Sequence, residues 1–95
     1  MNSISFSWDD QKNKANQKKH RISFEEAQSV FFDGNAIEYY DPDHSEMEDR
    51  FLMLGVSYKI QILIVSYTLR QDGSEIRIIS ARKATKREQK AYTGE

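Results

Sequence analysis

The side chains of this 95-residue sequence best equipped for chemistry are cations set beside groups that can move protons. Lys19 and His20 close one basic stretch, and histidine is the side chain that titrates unaided near neutral pH. Arg77 and Arg82, followed by Lys83, Lys86 and Arg87, form a second basic stretch, with Tyr67 and Arg70 upstream of it. Arginine presents a fixed fork of donors that meets phosphate oxygens in pairs, so these residue types suit a phosphodiester and the charge that develops on it.

The distribution of charge sharpens this. The net charge is only −1, yet residues 11–21 carry Lys12, Lys14, Lys18, Lys19 and Arg21 with no acid. Residues 22–49 carry Glu25, Glu26, Asp33, Glu38, Asp41, Asp43, Glu46, Glu48 and Asp49 with no Lys or Arg, and residues 76–92 carry six cations against Glu88 alone. Two basic segments far apart in sequence build a phosphate-binding surface if the fold joins them, while the low net charge argues against indiscriminate nucleic-acid binding. The acidic middle is a candidate face for steering RNA or docking a basic partner; the alternative is a solvated helix and loop.

Composition bounds the class. A chain of this length, with 38% hydrophobic and 12% aromatic residues, is predicted to fold as one globular domain. The absence of cysteine excludes a disulfide framework and a thiolate zinc cluster. No apolar run approaches the roughly 20 residues of a membrane span, and no signal-peptide pattern opens the chain, so a cytoplasmic protein without membrane contact is expected.

The elements that must position the cations follow from periodicity and caps. Ile4–Trp8 alternates apolar with polar, as a half-buried strand does. Asp9 or Asp10 can cap a helix over 10–20, whose late Lys18, Lys19 and His20 suit the helix dipole. Ala15 stands nearly alone as an apolar residue there, so this helix is expected to pack weakly and to spend its cationic face elsewhere or in solvent. Ser23 to Glu26 is a capping box, and Phe24, Ala27, Val30 and Phe31 recur at helical spacing before Asp33-Gly34 stops the helix.

Strands follow over 36–40, 50–56, 60–69 and 75–82, separated by Asp41-Pro42-Asp43 and by the hairpin Gln71-Asp72-Gly73-Ser74. Thr85 to Glu88 is a second capping box, opening a helix to about Tyr92. The expected fold is α+β: an antiparallel sheet of about four strands, two N-terminal helices, one C-terminal helix, helices on one face and the other face open.

Several of these residues fall into ordered motifs. Phe6-x-Trp8-Asp9-x-x-Lys12-x-x-x-Asn16-x-x-Lys19-His20-x-Ile22-Ser23-Phe24-Glu25-Glu26-Ala27 resembles the BrnT toxin family. So do Asp41-Pro42-Asp43-His44-Ser45-Glu46 with Arg50-Phe51, then Tyr67-Thr68, and finally residues 76–88. The resemblance covers about residues 6–92 and implies a single toxin domain over 1–95, with a RelE-like fold and endoribonuclease activity that inhibits translation. It also implies a cognate BrnA-like ribbon-helix-helix antitoxin, with operator DNA bound only through the antitoxin complex. Two positions depart from the family pattern. Arg21 stands where Gly is common after Lys-His, and Leu69 stands where an acid often precedes the Arg after Tyr-Thr.

RNA cleavage without a metal needs a base for the 2′-hydroxyl proton, cations for the charged phosphorus centre and an acid for the leaving 5′-oxygen. His20 is the first candidate for proton transfer, with Lys19 assisting; the alternative is a helix-end histidine bonding the last carbonyls. Arg77 and Arg82 are catalytic candidates, and strand alternation is expected to send them to opposite faces. Tyr67 is a further catalytic candidate, able to stack on a base or donate a hydrogen bond, the alternative being an ordinary sheet aromatic. Lys12, Arg50, Arg70, Lys83 and Arg87 are candidate RNA-phosphate contacts, although for Arg50 an ion pair with the acids before it is the stronger alternative. Trp8 belongs to the core.

Asp41-x-Asp43-x-Ser45 opens like a calcium loop, but Glu46 and Leu52 stand where that loop needs Gly and Glu. His44 lacks a second histidine nearby, so no metal and no cofactor is expected. A rival class is a non-catalytic co-repressor that uses the basic surface on DNA with its partner. Neither a glycine-rich phosphate loop nor an aromatic-basic RNP pattern supports a standalone binder.

Overall fold

The computed structural model describes residues 3–95. Strand β1 (Ser5–Ser7) leads into helices α1 (Asp10–His20) and α2 (Phe24–Ser29) and a 3-10 turn at Val30–Phe32. The chain then runs through β2 (Ile37–Tyr40), a 3-10 turn at Pro42–His44, β3 (Arg50–Val56), β4 (Ile62–Arg70), β5 (Glu75–Lys83) and α3 (Lys86–Thr93). The sheet has five strands in the order β1-β5-β4-β3-β2. The α+β class is as expected, but β1 joins the sheet edge parallel to β5, so the sheet is mixed rather than antiparallel throughout. The two helices carry the chain from one edge of the sheet to the other, which is what allows its first strand to lie beside its last.

One face is closed. Leu63, Val65 and Tyr67 of β4 and Ile76, Ile78 and Ala81 of β5 pack beneath Ile22, Phe24, Ala27 and Val30, with Trp8 edge-to-face on Phe24. Each such fully buried aliphatic or aromatic side chain contributes about 1.5–3 kcal/mol. Helix α2 docks through the apolar stripe its spacing predicted. Its Ser23 cap accepts from the Glu26 amide at 3.0 Å, but the Glu26 side chain does not return to the cap. It is buried, and accepts from Ser57 Oγ at 2.6 Å and Gln61 Nε2 at 2.8 Å, pinning the β3–β4 turn.

Helix α1 docks by another route. Ala15 is exposed, and the residues it buries are Asn13 and Asn16. Asn16 Nδ2 donates to the carbonyls of Ile22 and Ala81, both at 2.8 Å, and its Oδ1 accepts from the Ala81 amide at 3.1 Å. Asn13 Oδ1 accepts from the Phe24 amide at 2.9 Å. A helix expected to pack weakly is thus fastened to β5 by amide side chains that satisfy buried backbone groups.

Strand β4 and helix α3 depart from the expected pattern. Strand β4 begins at Ile62 because Ile60 (φ 61°) lies in the left-handed region and is 83% exposed, closing a turn through its amide on the Ser57 carbonyl at 2.9 Å. Arg21 ends α1 with φ 60°, a conformation that disfavours a side chain. Finally, α3 lies over the opposite sheet face from α1 and α2, where Tyr92 packs with Leu54, Ile64 and Ala84. Its Tyr92 hydroxyl donates to Asp33 Oδ2 at 2.6 Å, and Asp33 also accepts from the Val56 and Asn35 amides. Burial opposes ionisation of Asp33, but these bonds outweigh it and hold the carboxyl below its usual range, while the Tyr92 phenol is pushed up to about 12. No helix among the described residues is long and apolar enough to cross a membrane.

Candidate active site on the open sheet face

Beyond α3, the second sheet face stays open, and a register irregularity decides what it displays. Along β4 and β5, Tyr67 pairs with Ile78 but Ser66 pairs with Ser80, leaving Ile79 as an extra residue in β5. Such a bulge resets the alternation of side chains. Ile76 and Ile78 therefore face the core before it, and Ala81 faces the core after it. Arg77, between the two isoleucines, and Arg82, after the alanine, both emerge on the open face. The expectation that they take opposite faces is corrected: strict alternation fails because one strand carries an additional residue.

The register also aligns rows across strands. Arg50, Thr68 and Arg77 form one row, and Leu52, Ser66 and Ser80 form the next. The second row floors a cleft of about 360 Å³ lined by Asp41, His44, Arg50, Leu52, Ser66, Ile79, Ser80 and Arg82. The loop that brings Asp41 and His44 here is laced to β3. The Asp41 amide donates to the Arg50 carbonyl at 2.9 Å, Ser45 Oγ donates to the Asp41 carbonyl at 2.6 Å, and the Arg50 amide donates to Ser45 Oγ at 2.9 Å. His44 Nδ1 lies 2.9 Å from Asp41 Oδ2.

The two arginines of the cleft are held differently. Arg82 grips Glu88 with both terminal nitrogens, Nη1 to Oε1 at 2.8 Å and Nη2 to Oε2 at 2.9 Å. The same Glu88 completes the Thr85 capping box of α3. The Arg82 hydrogen bonds, stronger here than the opposing burial, bring the Glu88 carboxyl down to about 2, and Glu88 in turn raises the guanidinium pKa of Arg82. Arg50 makes no ion pair among the described residues, contrary to the stronger alternative for it. Its Nε and the Thr68 hydroxyl are both buried without a hydrogen-bond partner. Both atoms are shielded from solvent, so it is the rest of the guanidinium, on a residue that lines the cleft without a carboxylate partner, that can meet an anion there.

The other predicted residues fall elsewhere. Tyr67 is 1% exposed, stacked among Phe31 and Phe51 on the core face, and donates to Glu38. Burial first, then that bond, raises its phenol pKa, so it is neither on the open face nor free to stack on a base. Lys19, His20 and Lys12 ride on α1, which packs against β5 from the core side, and none lines the cleft. The two basic segments do not flank one open surface as expected; β5 lies between α1 and the cleft.

The segments do approach each other at the sheet edge. There Asp9 is lowered mainly by the Lys12 and Gln11 amides it caps, with weaker help from the Lys12 and Arg77 charges. Arg70 is exposed at the end of β4, 3.9 Å from Glu48. Lys83 lines a separate hollow with Gln61 and Gln89, and Arg87 is exposed on α3. A further cleft of about 530 Å³ on the core side is lined mainly by apolar residues such as Ile4, Phe6, Phe31, Phe32 and Leu69, together with Glu38 and Tyr67, and has no cation in its lining.

The residue that composition and spacing undervalued is His44. In the sequence its motif suggests only a metal ligand. The signal lay in the Asp three residues before it on a Pro-initiated turn, a spacing that lets carboxylate and imidazole meet.

Comparison with known proteins agrees with this architecture. Residues 8–88 match the family described as ribonuclease toxin, BrnT, of type II toxin–antitoxin systems. No curated protein sequence matches. The fold is similar to the crystal structure of the Brucella abortus ribonuclease toxin BrnT, with a TM-score of 0.67 and 20% identity over 88% of this chain and 100% of that one. With the match spanning most of the sequence, the chain belongs to the BrnT family of type II toxin–antitoxin ribonuclease toxins.

Proposed function

We propose that this chain is a metal-independent endoribonuclease that binds the scissile phosphate of RNA in the open-face cleft and thereby inhibits translation in the cytoplasm. The observation that carries this reading is the convergence of Arg50 and Arg82 on one cleft, with Arg50 free of any ion pair among the described residues. Of the five donors on Arg82, Glu88 takes two, and Lys83's carbonyl receives a longer contact of 3.3 Å. Donors remain for a non-bridging phosphate oxygen, and the ion pair fixes the guanidinium plane in advance. The serines of the cleft floor, Ser66 and Ser80, add small polar groups that do not obstruct a phosphodiester. Arg77, one row away, and Arg70, at the strand end, extend the cationic track along the same face.

In this reading the toxin is neutralised by a cognate BrnA-like ribbon-helix-helix antitoxin, which also carries the complex to operator DNA. A partner that binds the folded toxin tightly suppresses it by mass action at low concentration. The test is incubation of the purified protein with RNA in excess EDTA. Continued cleavage, abolished by Arg50→Ala, is the expected outcome. Cleavage that disappears with chelation and returns with a divalent cation overturns the metal-free reading. Absence of cleavage with tight antitoxin and operator binding favours the co-repressor class instead.

A further inference from the structure

We infer that His44 is the general base of the cleavage and that Asp41 is its positioning residue, an assignment that rests on the open-face cleft being the RNA site. His44 Nδ1 lies 2.9 Å from Asp41 Oδ2, and a carboxylate there favours the neutral ring with its proton on Nδ1, the form that presents the Nε2 lone pair. That tautomer is the one a base requires, and a carboxylate behind the ring also stabilises the imidazolium that forms.

The pair is built rather than incidental. The Asp41 backbone is fixed at both its amide and its carbonyl, by the Arg50 carbonyl and by Ser45 Oγ, and Ser45 Oγ in turn accepts from the Arg50 amide. The base and the phosphate-binding arginine therefore share one hydrogen-bonded frame. The His44 side chain is 65% exposed and Asp41's only 15%, so the ring stands in solvent while its anchor is sheltered. The other histidine, His20, sits at the end of α1 and does not line the cleft.

The step balances without any further reagent. His44 Nε2 takes the proton of the 2′-hydroxyl as O2′ bonds to phosphorus, with Arg50 and Arg82 on the non-bridging oxygens. The bond from phosphorus to O5′ breaks, a water at the mouth of the cleft protonates O5′, and the imidazolium returns its proton to solvent. The products are a 2′,3′-cyclic phosphate and a 5′-hydroxyl. The charged groups around the ring are Asp41 on its own turn, Asp43, Glu46 and Glu48 across an adjoining hollow, Arg50 from β3 and Arg82 from β5.

The experiment compares wild type, His44→Ala, His44→Gln, Asp41→Asn and His20→Ala on a labelled oligoribonucleotide in excess EDTA. Affinity is measured in parallel with the same sequence carrying 2′-O-methyl groups, and folding by circular dichroism. Both His44 variants are expected to lose about 100-fold or more in kcat, as removal of a general base does. Affinity for the methylated strand stays within about 3-fold, the histidine limb of the pH–rate profile disappears, and added imidazole partly restores His44→Ala. Asp41→Asn keeps the fold and binding but lowers kcat and shifts that limb. A folded His44→Ala that cleaves within about 3-fold of wild type, or that fails through lost affinity alone, overturns the assignment while leaving the ribonuclease reading intact. Loss of activity in His20→Ala with His44→Ala unimpaired moves the role to His20. A wild type that cleaves nothing overturns both.

Discussion

Two neighbours on β4 show how differently the two faces of this sheet are used. Tyr67 points to the core face, where aromatic rings enclose it and Glu38 accepts a hydrogen bond from its hydroxyl. Ser66 points to the open face, where it floors a cleft edged by Arg50, Arg82 and His44. Among the described residues the core face leaves no buried polar side-chain atom unpartnered, with apolar contacts under α2 and asparagine hydrogen bonds under α1. The open face leaves a cation over, in Arg50, which lines the cleft and has no ion pair among the described residues. Residues that stabilise are finished with their partners, and residues that can bind are not. The bulge at Ile79 is the device that lets one strand serve both purposes, keeping Ile76, Ile78 and Ala81 on the core side while turning two arginines outward.

That contrast can be broken first at the core. Tyr67→Ala removes a fully buried ring and is expected to destabilise by about 3–5 kcal/mol, enough to prevent folding of a domain this small. Tyr67→Phe keeps the ring, and is expected to retain cleavage within about 2-fold, since the hydroxyl lies on the face away from the cleft; thermal unfolding and an RNA cleavage assay check both. A large loss of activity in a well-folded Tyr67→Phe would move the site to the core side.

Asn16→Ala is the next largest effect. It strips three hydrogen bonds from buried backbone groups of Ile22 and Ala81, and is expected to lower stability by about 2–3 kcal/mol in urea denaturation. A change below about 0.5 kcal/mol, the level of an ordinary surface substitution, would show that α1 is held by something other than its asparagines.

A smaller effect separates Arg82 from Arg50. The folded carboxyl of Glu88 is brought down to about 2 from an ordinary 4.5, so the unfolded chain binds its proton more readily. The stability this contributes is present above about pH 4.5 and fades as pH falls toward 2. Glu88→Gln is expected to flatten that acid limb when unfolding midpoints are compared between neutral and acidic pH. Equal slopes in the two proteins would mean that the pair does not form in solution. The smallest effect is at the end of α1, where Arg21→Gly relieves a left-handed side chain and is expected to raise stability by about 0.5–1 kcal/mol, seen as a modest rise in Tm.

Much of this was legible in the amino acids. The caps at Ser23 and Thr85, the apolar stripe of α2, the Asp41-Pro42 turn and the 71–74 hairpin follow from local rules that the fold obeys. What escaped was non-local. Asn13 and Asn16 count as polar in any periodicity, so a helix docked by hydrogen bonds looks unpacked. The bulge has no glycine or proline at Ile79 or Ser80 to announce it, and without it Arg77 and Arg82 seem to part company. Tyr67 sits on a strand whose two faces cannot be distinguished by alternation alone. His44 was visible as a residue but not as a partner of Arg50, because only the β2–β3 connection brings them together.

The most direct measurement is the rate of RNA cleavage by Arg50→Ala in excess chelator, made on protein whose melting temperature has been recorded. The expected result is a melting temperature within a few degrees of wild type and a loss of about 100-fold in cleavage, the scale for removing one donor to a charged transition state. A folded Arg50→Ala that cleaves RNA as well as wild type would contradict the placement of the phosphate on the open face.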